Sequence, residues 1–443
     1  MPAKTLFDGG ATSKLWLDRR DFYPTPQQVA ELWTNVTPFT TVLGQLGSMK
    51  VGEPVYKLFE HESSFVNREF TITTALTVAS TDTESAAITV GTITGLPATV
   101  SDSWKGLECD VWDSTKTTKR GVVIITSALS TTTIGVKTLK AAALTTVSGD
   151  VLVVHARDRG EGSVSSSAES DELKVVWNSA AFMSDSAEVT GALYYNAKLR
   201  GYSNEFARLR EEMFKRYKTY REGAMLKQVS TLGTNMNGSD TFSEASLKTI
   251  TDSTGASGAI RTTYGFIPIL EDYGITWTGT GDINLDTNVF SLSADSVDYA
   301  MWVAMAEAIF DKREDQRAMV FAGRGAITKL HQKIMNDSKK MGWLGKVQIG
   351  DAQWNKLGFF MSELETPHGV FYLVPTRSLR YEYNNYMAIP HLEHCGIAEY
   401  VPVEYKNDVK KDNDYDGVKD VIKSFEGFHM TLLKSHQLIK FTA

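Results

Sequence analysis

The sequence has little that points to secretion, a membrane or a disulfide framework. Only two of its 443 residues are cysteine, Cys109 and Cys395, and their wide separation predicts two buried free thiols. No stretch reaches the ~18 uninterrupted apolar residues of a membrane helix. The N-terminal MPAKTLFDGG has no apolar stretch behind its lysine, unlike a secretory signal. We therefore expect synthesis and use in a cytoplasm.

The common enzyme motifs are also missing. The sequence contains no Walker loop, no G-x-S-x-G elbow and no H-E-x-x-H. Gly323 and Gly325 lack the third glycine of a dinucleotide-binding loop and predict a strand-to-helix turn instead. We expect no catalytic residue, no metal site and no cofactor, so the chain is predicted to be a structural protein and not an enzyme.

One short segment, PHLEHCG, contains three residues that commonly bind metals. His391, His394 and Cys395 lie close together in it. A structural zinc site needs four ligands, usually as two separated pairs, and no second pair lies nearby in the sequence. The segment therefore does not predict a metal site.

A second segment, DNDYDG, matches the first half of an EF-hand loop. Its ligand-type positions are Asp412, Asp414, Asp416 and the turn glycine Gly417. The twelfth position requires a bidentate glutamate, but Lys423 stands there. An acidic surface turn is the better interpretation.

Composition changes sharply within the first half of the chain. The whole chain carries 42% hydrophobic and 22% charged residues and a net charge of −7, which is ordinary for a soluble protein. In residues 71–150, by contrast, 28 of 80 residues are serine or threonine, and five short apolar runs are separated by turn residues. Short strands at this spacing predict a small antiparallel barrel or sandwich, inserted over residues 75–157.

The segments around this insert are predicted to be extended. Residues 55–74 and 173–195 alternate apolar and polar residues and are expected to pair as two legs of a hairpin. Residues 1–32 have scattered aromatics without a period and predict an arm. The second half alternates helical and strand patterns, which is typical of an α+β domain.

The strongest helical pattern covers residues 203–229. Its apolar residues recur every three or four positions, which predicts one buried face on a helix about 40 Å long. The residues of this face are Phe206, Leu209, Met213, Tyr217, Tyr220 and Ala224. Arg208, Lys215 and Lys218 lie opposite that face, and residues 198–227 carry nine basic residues against four glutamates. This basic face is a candidate surface for a polyanion. The alternative is an ordinary solvated helix with i,i+4 ion pairs, which would be Glu211–Lys215, Glu212–Arg216 and Lys218–Glu222.

Taken in order, these features resemble one family. The segment W-x-x-V-T-P-F-T-T-V-L-G (residues 33–44) is followed by the charged run YKLFEHES, by SAEVTGAL (residues 186–193) and by the basic helix that starts RGYSNEF. This order is similar to that of the major capsid proteins of tailed bacteriophages. The resemblance covers nearly the whole chain outside the inserted module.

The resemblance implies an α+β, HK97-like capsid fold. The implied domains are an N-terminal arm (1–32), the start of a peripheral domain with the first leg of an extended loop (33–74), the inserted module (75–157), the return leg (158–199), the spine helix (200–232), an axial domain with associated peripheral strands (233–405) and a C-terminal peripheral segment (406–443). The implied function is self-assembly into hexamers and pentamers of an icosahedral shell around double-stranded DNA.

The same resemblance implies the partners. They are other copies of the chain, a separate scaffolding protein, a portal, packaged DNA held without sequence specificity and, optionally, a decoration protein, but no membrane. The spine helix would then present Arg208, Lys215 and Lys218 to the lumen. The implied location is the virion, assembled in the host cytoplasm.

Two other classes stay open at this level. One is a different virion protein, such as a tail or fibre component, in which the Ser/Thr-rich module binds carbohydrate. The other is a hydrolase whose site has no recognisable spacing.

Overall fold

The structure, a computed structural model, describes most of the chain beyond residue 36. The described residues are 37–61, 68–78, 86–94, 96, 99–140, 143–158, 173–196, 205–230, 248–251, 257–279, 283, 286–293, 299–341, 349–354, 360–409 and 416–442. The predicted arm, residues 1–32, lies outside them.

Helices and strands within these ranges are numbered in chain order. The helices are α1 (Pro38–Leu46), α2 (Gly191–Asn196), α3 (Glu205–Lys227), α4 (Phe266–Tyr273), α5 (Tyr299–Phe310) and α6 (Arg324–Met341). The strands of the first half are β1 (Ser48–Lys50), β2 (Val55–Glu60), β3 (Glu69–Ile72), β4 (Leu76–Val78), β5 (Ala86–Thr94), β6 (Leu107–Trp112), β7 (Lys119–Ser130), β8 (Thr133–Thr138), β9 (Leu144–Thr146), β10 (Val151–Arg157), β11 (Lys174–Ser179) and β12 (Ala181–Thr190). Those of the second half are β13 (Lys248–Thr251), β14 (Ser257–Ile260), β15 (Thr276–Trp277), β16 (Val289–Ser293), β17 (Arg317–Ala322), β18 (Ile349–Trp354), β19 (Phe360–Glu365), β20 (Val370–Pro375), β21 (Tyr386–Ile389), β22 (Cys395–Lys406), β23 (Gly417–Met430) and β24 (Gln437–Thr442).

The chain divides into two compact units. One unit is residues 61–173, and the other combines residues 1–60 with residues 174–443. Among the described residues, no helix is both long enough and apolar enough to cross a bilayer. The turn predicted at Gly323 and Gly325 is confirmed, since β17 ends at Ala322 and α6 begins at Arg324.

The smaller unit contains a closed barrel of six strands in the order β10-β3-β5-β8-β7-β6. The alternation of apolar and polar residues along each strand produces this barrel. In strand β6, Leu107, Cys109 and Val111 are fully buried while the residues between them are partly exposed, which is the period-two pattern of a barrel wall. Ring contacts add Phe70 against Trp104, with centroids 5.1 Å apart. The core of this unit is therefore its own.

The predicted boundary of this module, residue 75, is wrong. Strand β3 precedes it and forms part of the barrel wall, with Phe70 and Ile72 each only 1% exposed. The error has a physical source: EFTI alternates with the same period as the preceding leg, so the pattern alone does not show where one sheet ends and the next begins.

The two predicted legs pair, but over a shorter length than expected. Strands β2 and β11 are antiparallel, with register partners running from Val55↔Ser179 to Glu60↔Lys174. Beyond Ala180 the chain leaves this ladder, and β12 joins a four-stranded sheet of order β1-β22-β23-β12. The return leg predicted over residues 158–199 is therefore wrong beyond residue 180, because β12 pairs along ten residues with β23 instead.

A mixed eight-stranded sheet, of order β15-β16-β24-β21-β17-β20-β19-β18, forms the centre of the larger unit. Strand β17 is apolar on both sides, as expected for a strand covered on both faces. Ala318, Val320 and Ala322 pack with residues of α5 and α6, whereas Phe321 packs with residues of α1 and α4. Helices therefore cover both faces of this sheet.

The C-terminal residues do not form one peripheral segment, as predicted for 406–443. Strand β23 belongs to the four-stranded sheet, but β24 lies inside the eight-stranded sheet between β16 and β21. Leu438 and Ile439 are both fully buried, one in the core on each face of that sheet. The prediction failed because a short apolar run does not reveal which sheet it enters.

Phe39 joins the four-stranded and eight-stranded sheets of the larger unit. Its ring lies 5.1 Å from that of Phe321 in the eight-stranded sheet and 6.0 Å from that of Phe428 in the four-stranded sheet. A third ring, Phe266 of α4, lies 6.3 Å away. The T-P-F-T-T segment thus supplies the central side chain of this core.

Candidate functional site

The long helix α3 lies on the four-stranded sheet. Its side chains Phe206, Met213 and Tyr217 are buried with Val189 and Ile422 of strands β12 and β23. This confirms the predicted apolar face, although Tyr220, predicted on the same face, is 60% exposed. The helix ends at Lys227, earlier than the predicted end at residue 232. Directly after the helix, the Gln228 carbonyl accepts a hydrogen bond from Gly265 N.

Three arginines of α3 point towards the sheet and bind carboxylates there. The nitrogen–oxygen distances are 2.7 Å for Arg210–Asp420, 3.0 Å for Arg216–Asp185 and 2.6 Å for Arg221–Glu426. Asp420 and Glu426 are fully buried, whereas Arg210 and Arg221 are 38% and 23% exposed, so each pair joins a buried carboxylate to a partly exposed guanidinium. Burial raises the pKa of Glu426 despite the opposing charge of Arg221. The arginines thereby fix the helix to the sheet.

The three candidate cations lie on the opposite side of α3, together with two glutamates. Arg208 pairs with Glu212, and Lys215 pairs with Glu211 at 2.7 Å. Within the described ranges, Lys218 is exposed and forms no ion pair. The predicted Glu211–Lys215 pair is confirmed, whereas the Glu212–Arg216 pair is wrong, since Arg216 binds Asp185 instead. This face is therefore close to neutral, with Lys218 as its unmatched charge.

The third predicted ion pair, Lys218–Glu222, is also wrong, because Glu222 is buried and caps a different helix. Its carboxylate accepts hydrogen bonds from Phe39 N at 3.3 Å, Thr40 N at 2.8 Å and Thr40 Oγ1 at 2.9 Å. These amides belong to the first turn of α1, which has no capping side chain of its own. Burial raises the pKa of Glu222 to about 7, although these donors and Lys227 oppose the shift. No local pattern in the sequence indicated this contact.

An aromatic cluster lies on the outer face of the four-stranded sheet. Phe182 and Tyr400 both contact Phe425, with ring centroids 6.0 Å and 5.3 Å apart. Because strand residues alternate between faces, Phe425 points away from α3, towards which its neighbours Ser424 and Glu426 point. Phe182 is 59% exposed. This outer aromatic cluster is a candidate contact surface.

The two segments with metal-type residues differ from their sequence patterns. Cys395 is buried in the core, which raises the pKa of its thiol to about 12, and it is a free thiol like Cys109. Instead of Cys395, the described structure brings Glu393 together with His391 and His394.

In the second segment, Asp412 and Asp414 lie outside the described residues. Asp416 immediately precedes β23, which begins at Gly417. Lys423 therefore lies in a strand, where an EF-hand would have a helix, and its ammonium group is 3.3 Å from Glu404.

Comparison with known proteins gives one family match. A family model described as the SU10 major capsid protein matches residues 27–421. No curated protein sequence matches the chain.

Several solved structures are similar at low identity. The capsid of a native GTA particle is 10% identical, with a TM-score of 0.41 over 96% of this chain and 98% of that chain. The capsid of Myoviridae phage XM1 is 8% identical, with a TM-score of 0.41 over 98% and 100%. A structure of Mycobacterium phage Adephagia is 11% identical, with a TM-score of 0.35 over 91% and 89%. TM-scores below 0.5 do not establish a shared fold by themselves.

Proposed function

The chain belongs to the SU10 major capsid protein family, and from that premise we propose that it assembles into hexamers and pentamers of an icosahedral shell around double-stranded DNA. The observation that carries the proposal is the match over residues 27–421, which covers the smaller unit and most of the larger one. A major capsid protein forms the shell of the virion, so the role is structural and not catalytic.

Within an HK97-like arrangement, we assign the elements as follows. Helix α3 is the spine helix, and the four-stranded sheet beneath it is the peripheral sheet. The β2–β11 ladder forms the base of the extended loop, the eight-stranded sheet is the axial domain, and residues 1–32 are the arm. The barrel of residues 61–173 is the inserted module. The arginine pairs of α3 support this assignment, since a spine that crosses a subunit needs a fixed connection to its sheet.

The outer aromatic cluster is the proposed contact between copies. Exposed aromatic side chains in contact with one another are typical of protein–protein interfaces and uncommon on isolated monomers. Ion pairs Lys423–Glu404 and Lys419–Glu188 lie on the same strands and supply a polar rim. A second copy of the chain is the partner that a shell subunit requires.

The face of α3 with Arg208, Lys215 and Lys218 is the proposed lumen surface for packaged DNA. Nonspecific phosphate contact needs only clustered positive charge. Because Glu211 and Glu212 neutralise two of the three cations, Lys218 would supply most of the attraction. A separate scaffolding protein, a portal and, optionally, a decoration protein are the remaining proposed partners, met during assembly in the host cytoplasm.

The proposal is tested by the particles that the full chain forms. We expect capsid-sized shells or ring-shaped capsomers by electron microscopy and sedimentation, with or without the scaffold. Replacing Phe182 and Tyr400 with serine should reduce assembly without unfolding the subunit. Leu129→Ser, at an exposed site on the barrel, is the matched control. A strictly monomeric protein under all conditions would contradict the proposal.

A further inference from the structure

We infer that His391, Glu393 and His394 form a binding site for a zinc-class transition-metal ion. The three residues lie on the short turn between β21, in the eight-stranded sheet, and β22, in the four-stranded sheet. One ligand atom from each residue lies within 4.8 Å of the other two. Two imidazoles and one carboxylate are the ligand set of several open zinc sites, with a fourth position left for water.

The distances require only a small adjustment. Ligand atoms around a tetrahedral zinc lie about 3.3 Å apart, given zinc–ligand bonds of about 2.0 Å. Glu393 is exposed and His394 is half-buried, so both side chains have room to rotate. His391 is buried and sets the position of the site.

The second observation is an unsatisfied nitrogen. His391 is only 7% exposed, and its Nδ1 atom has no hydrogen-bond partner among the described residues. Leaving a buried ring nitrogen without a partner is unfavourable. A metal bound at Nδ1 would satisfy it.

Hydrogen bonds fix the turn that holds these ligands. The His391 amide donates to His436 Nδ1 at 3.0 Å, which leaves the proton of a neutral His436 on Nε2, 3.0 Å from the Thr431 carbonyl. Thr431 N in turn donates to the His394 carbonyl at 2.9 Å. The backbone on both sides of Glu393 is thus held in place before an ion binds.

The charges around the turn explain why the carboxylate is needed. The Arg313 guanidinium, which donates to the Ile389 carbonyl and Gln437 Oε1, opposes a cation at this position. The Glu393 carboxylate offsets that charge. Zinc-class ions favour imidazole ligands, whereas Ca²⁺ and Mg²⁺ favour oxygen ligands alone.

The experiment measures metal binding by the purified full chain after treatment with a chelator. We expect saturable binding of one Zn²⁺ per chain by calorimetry, and Co²⁺ should give the visible absorption of a tetrahedral site. Glu393→Gln and His394→Gln should each lower the affinity by at least about 10- to 100-fold, since the loss of a group that only supports a ligand already has that effect. Both positions are accessible, so the variants should keep the wild-type circular dichroism.

His155→Gln is the matched control. His155 is exposed on the barrel, 3.2 Å from Glu108 and 3.4 Å from Asp110, and is the obvious place for incidental binding. Its replacement should leave the affinity for Zn²⁺ unchanged. The inference is overturned if Zn²⁺ does not bind saturably, if Glu393→Gln and His394→Gln bind like the wild type, or if His155→Gln alone abolishes binding. These results do not depend on whether shells form.

Discussion

The Nε atom of Arg221, on the long helix α3, lies 2.6 Å from Oε2 of Glu426, whose side chain is fully buried in the four-stranded sheet. Arg210 and Asp420 repeat this arrangement three helical turns earlier along α3. A buried carboxylate without its cation is strongly unfavourable, so the helix and the sheet depend on each other.

The first prediction concerns this pair. Arg221→Met should destabilise the unassembled subunit by about 3–5 kcal/mol, because it leaves Glu426 buried without a counter-charge. Lys218→Met is the control on the same helix and should change the stability by less than about 0.5 kcal/mol, since this side chain is exposed. Urea unfolding measures both values. Adding Glu426→Met to Arg221→Met should restore much of the stability. Equal losses of stability in Arg221→Met and in the control variant would show that the Arg221–Glu426 pair has no special role.

The second prediction concerns the residue that joins the two sheets. Phe39→Ala should cost about 3–5 kcal/mol, because it opens a cavity among three aromatic rings. Leu46→Ala, at a 50% exposed position of the same helix, is the control and should change little. Thermal unfolding separates the two variants. Comparable melting temperatures for Phe39→Ala and the wild type would show that the aromatic contacts are not the core of this unit.

The third prediction is a pH dependence from Glu222. Its folded pKa, about 7, lies above the ordinary 4.5, so folding favours the neutral acid. The stabilisation is therefore complete below about pH 4.5 and is lost as the pH rises through about 7. Relative to Glu222→Gln, which is always neutral, the wild type should lose about 3 kcal/mol between pH 5 and pH 9. Parallel stability curves for the two proteins would disprove the shift.

The fourth prediction concerns removal of the barrel. Glu60 and Lys174 are register partners in an antiparallel ladder, so an Asn-Gly turn should join them and close a hairpin. A chain without residues 61–173 should still fold and associate. Deleting only residues 75–157 is the control: it leaves β3 without its barrel, exposes Phe70 and Ile72, and should cause aggregation. Light scattering and electron microscopy distinguish the two outcomes.

The fifth prediction concerns DNA. Replacing Arg208, Lys215 and Lys218 with glutamine should leave empty shells intact and reduce the number of DNA-filled ones. Lys218→Gln alone should give most of the effect, because the other two cations are paired with glutamates. Lys105→Gln, in a surface pair with Asp102 on the barrel, is the control. Normal DNA filling in the triple variant would favour an ordinary solvated helix.

Much of the secondary structure was predictable because the apolar residues of helices and strands recur at regular intervals in the sequence. The spacing of Phe206, Met213 and Tyr217 indicated the helix and its buried face, and the alternation at residues 55–60 and 174–179 indicated a ladder. The 8-residue helix α4 was missed, since FIPILEDY is short, contains Pro268 and lies in a segment rich in Gly, Ser and Thr.

The long-range partners were not predictable. Glu222 was expected to pair with Lys218 four residues away, but its partners lie 182 and 183 residues earlier. Likewise, Glu393 rather than Cys395 lies near the two histidines, because Cys395, the first residue of β22, is buried in the core whereas Glu393 is exposed. Spacing in the sequence indicates which residues could form an ion pair or a ligand set. Tertiary packing determines which of them lie close together in the folded chain.

The contacts of residues 37–60 also set an order of events during synthesis. Phe39 packs on Phe428, Tyr56 Oη donates to the Phe428 carbonyl at 2.6 Å, and Glu60 accepts from Leu432 N at 2.7 Å. At roughly 5–20 residues per second, a ribosome needs about 10–50 s to travel from residue 173 to residue 428. The barrel has all of its own strands before that interval begins, whereas the larger unit waits until its end. A nascent chain that ends before residue 428 therefore lacks the partners of Phe39, Tyr56 and Glu60, so the larger unit cannot complete its core.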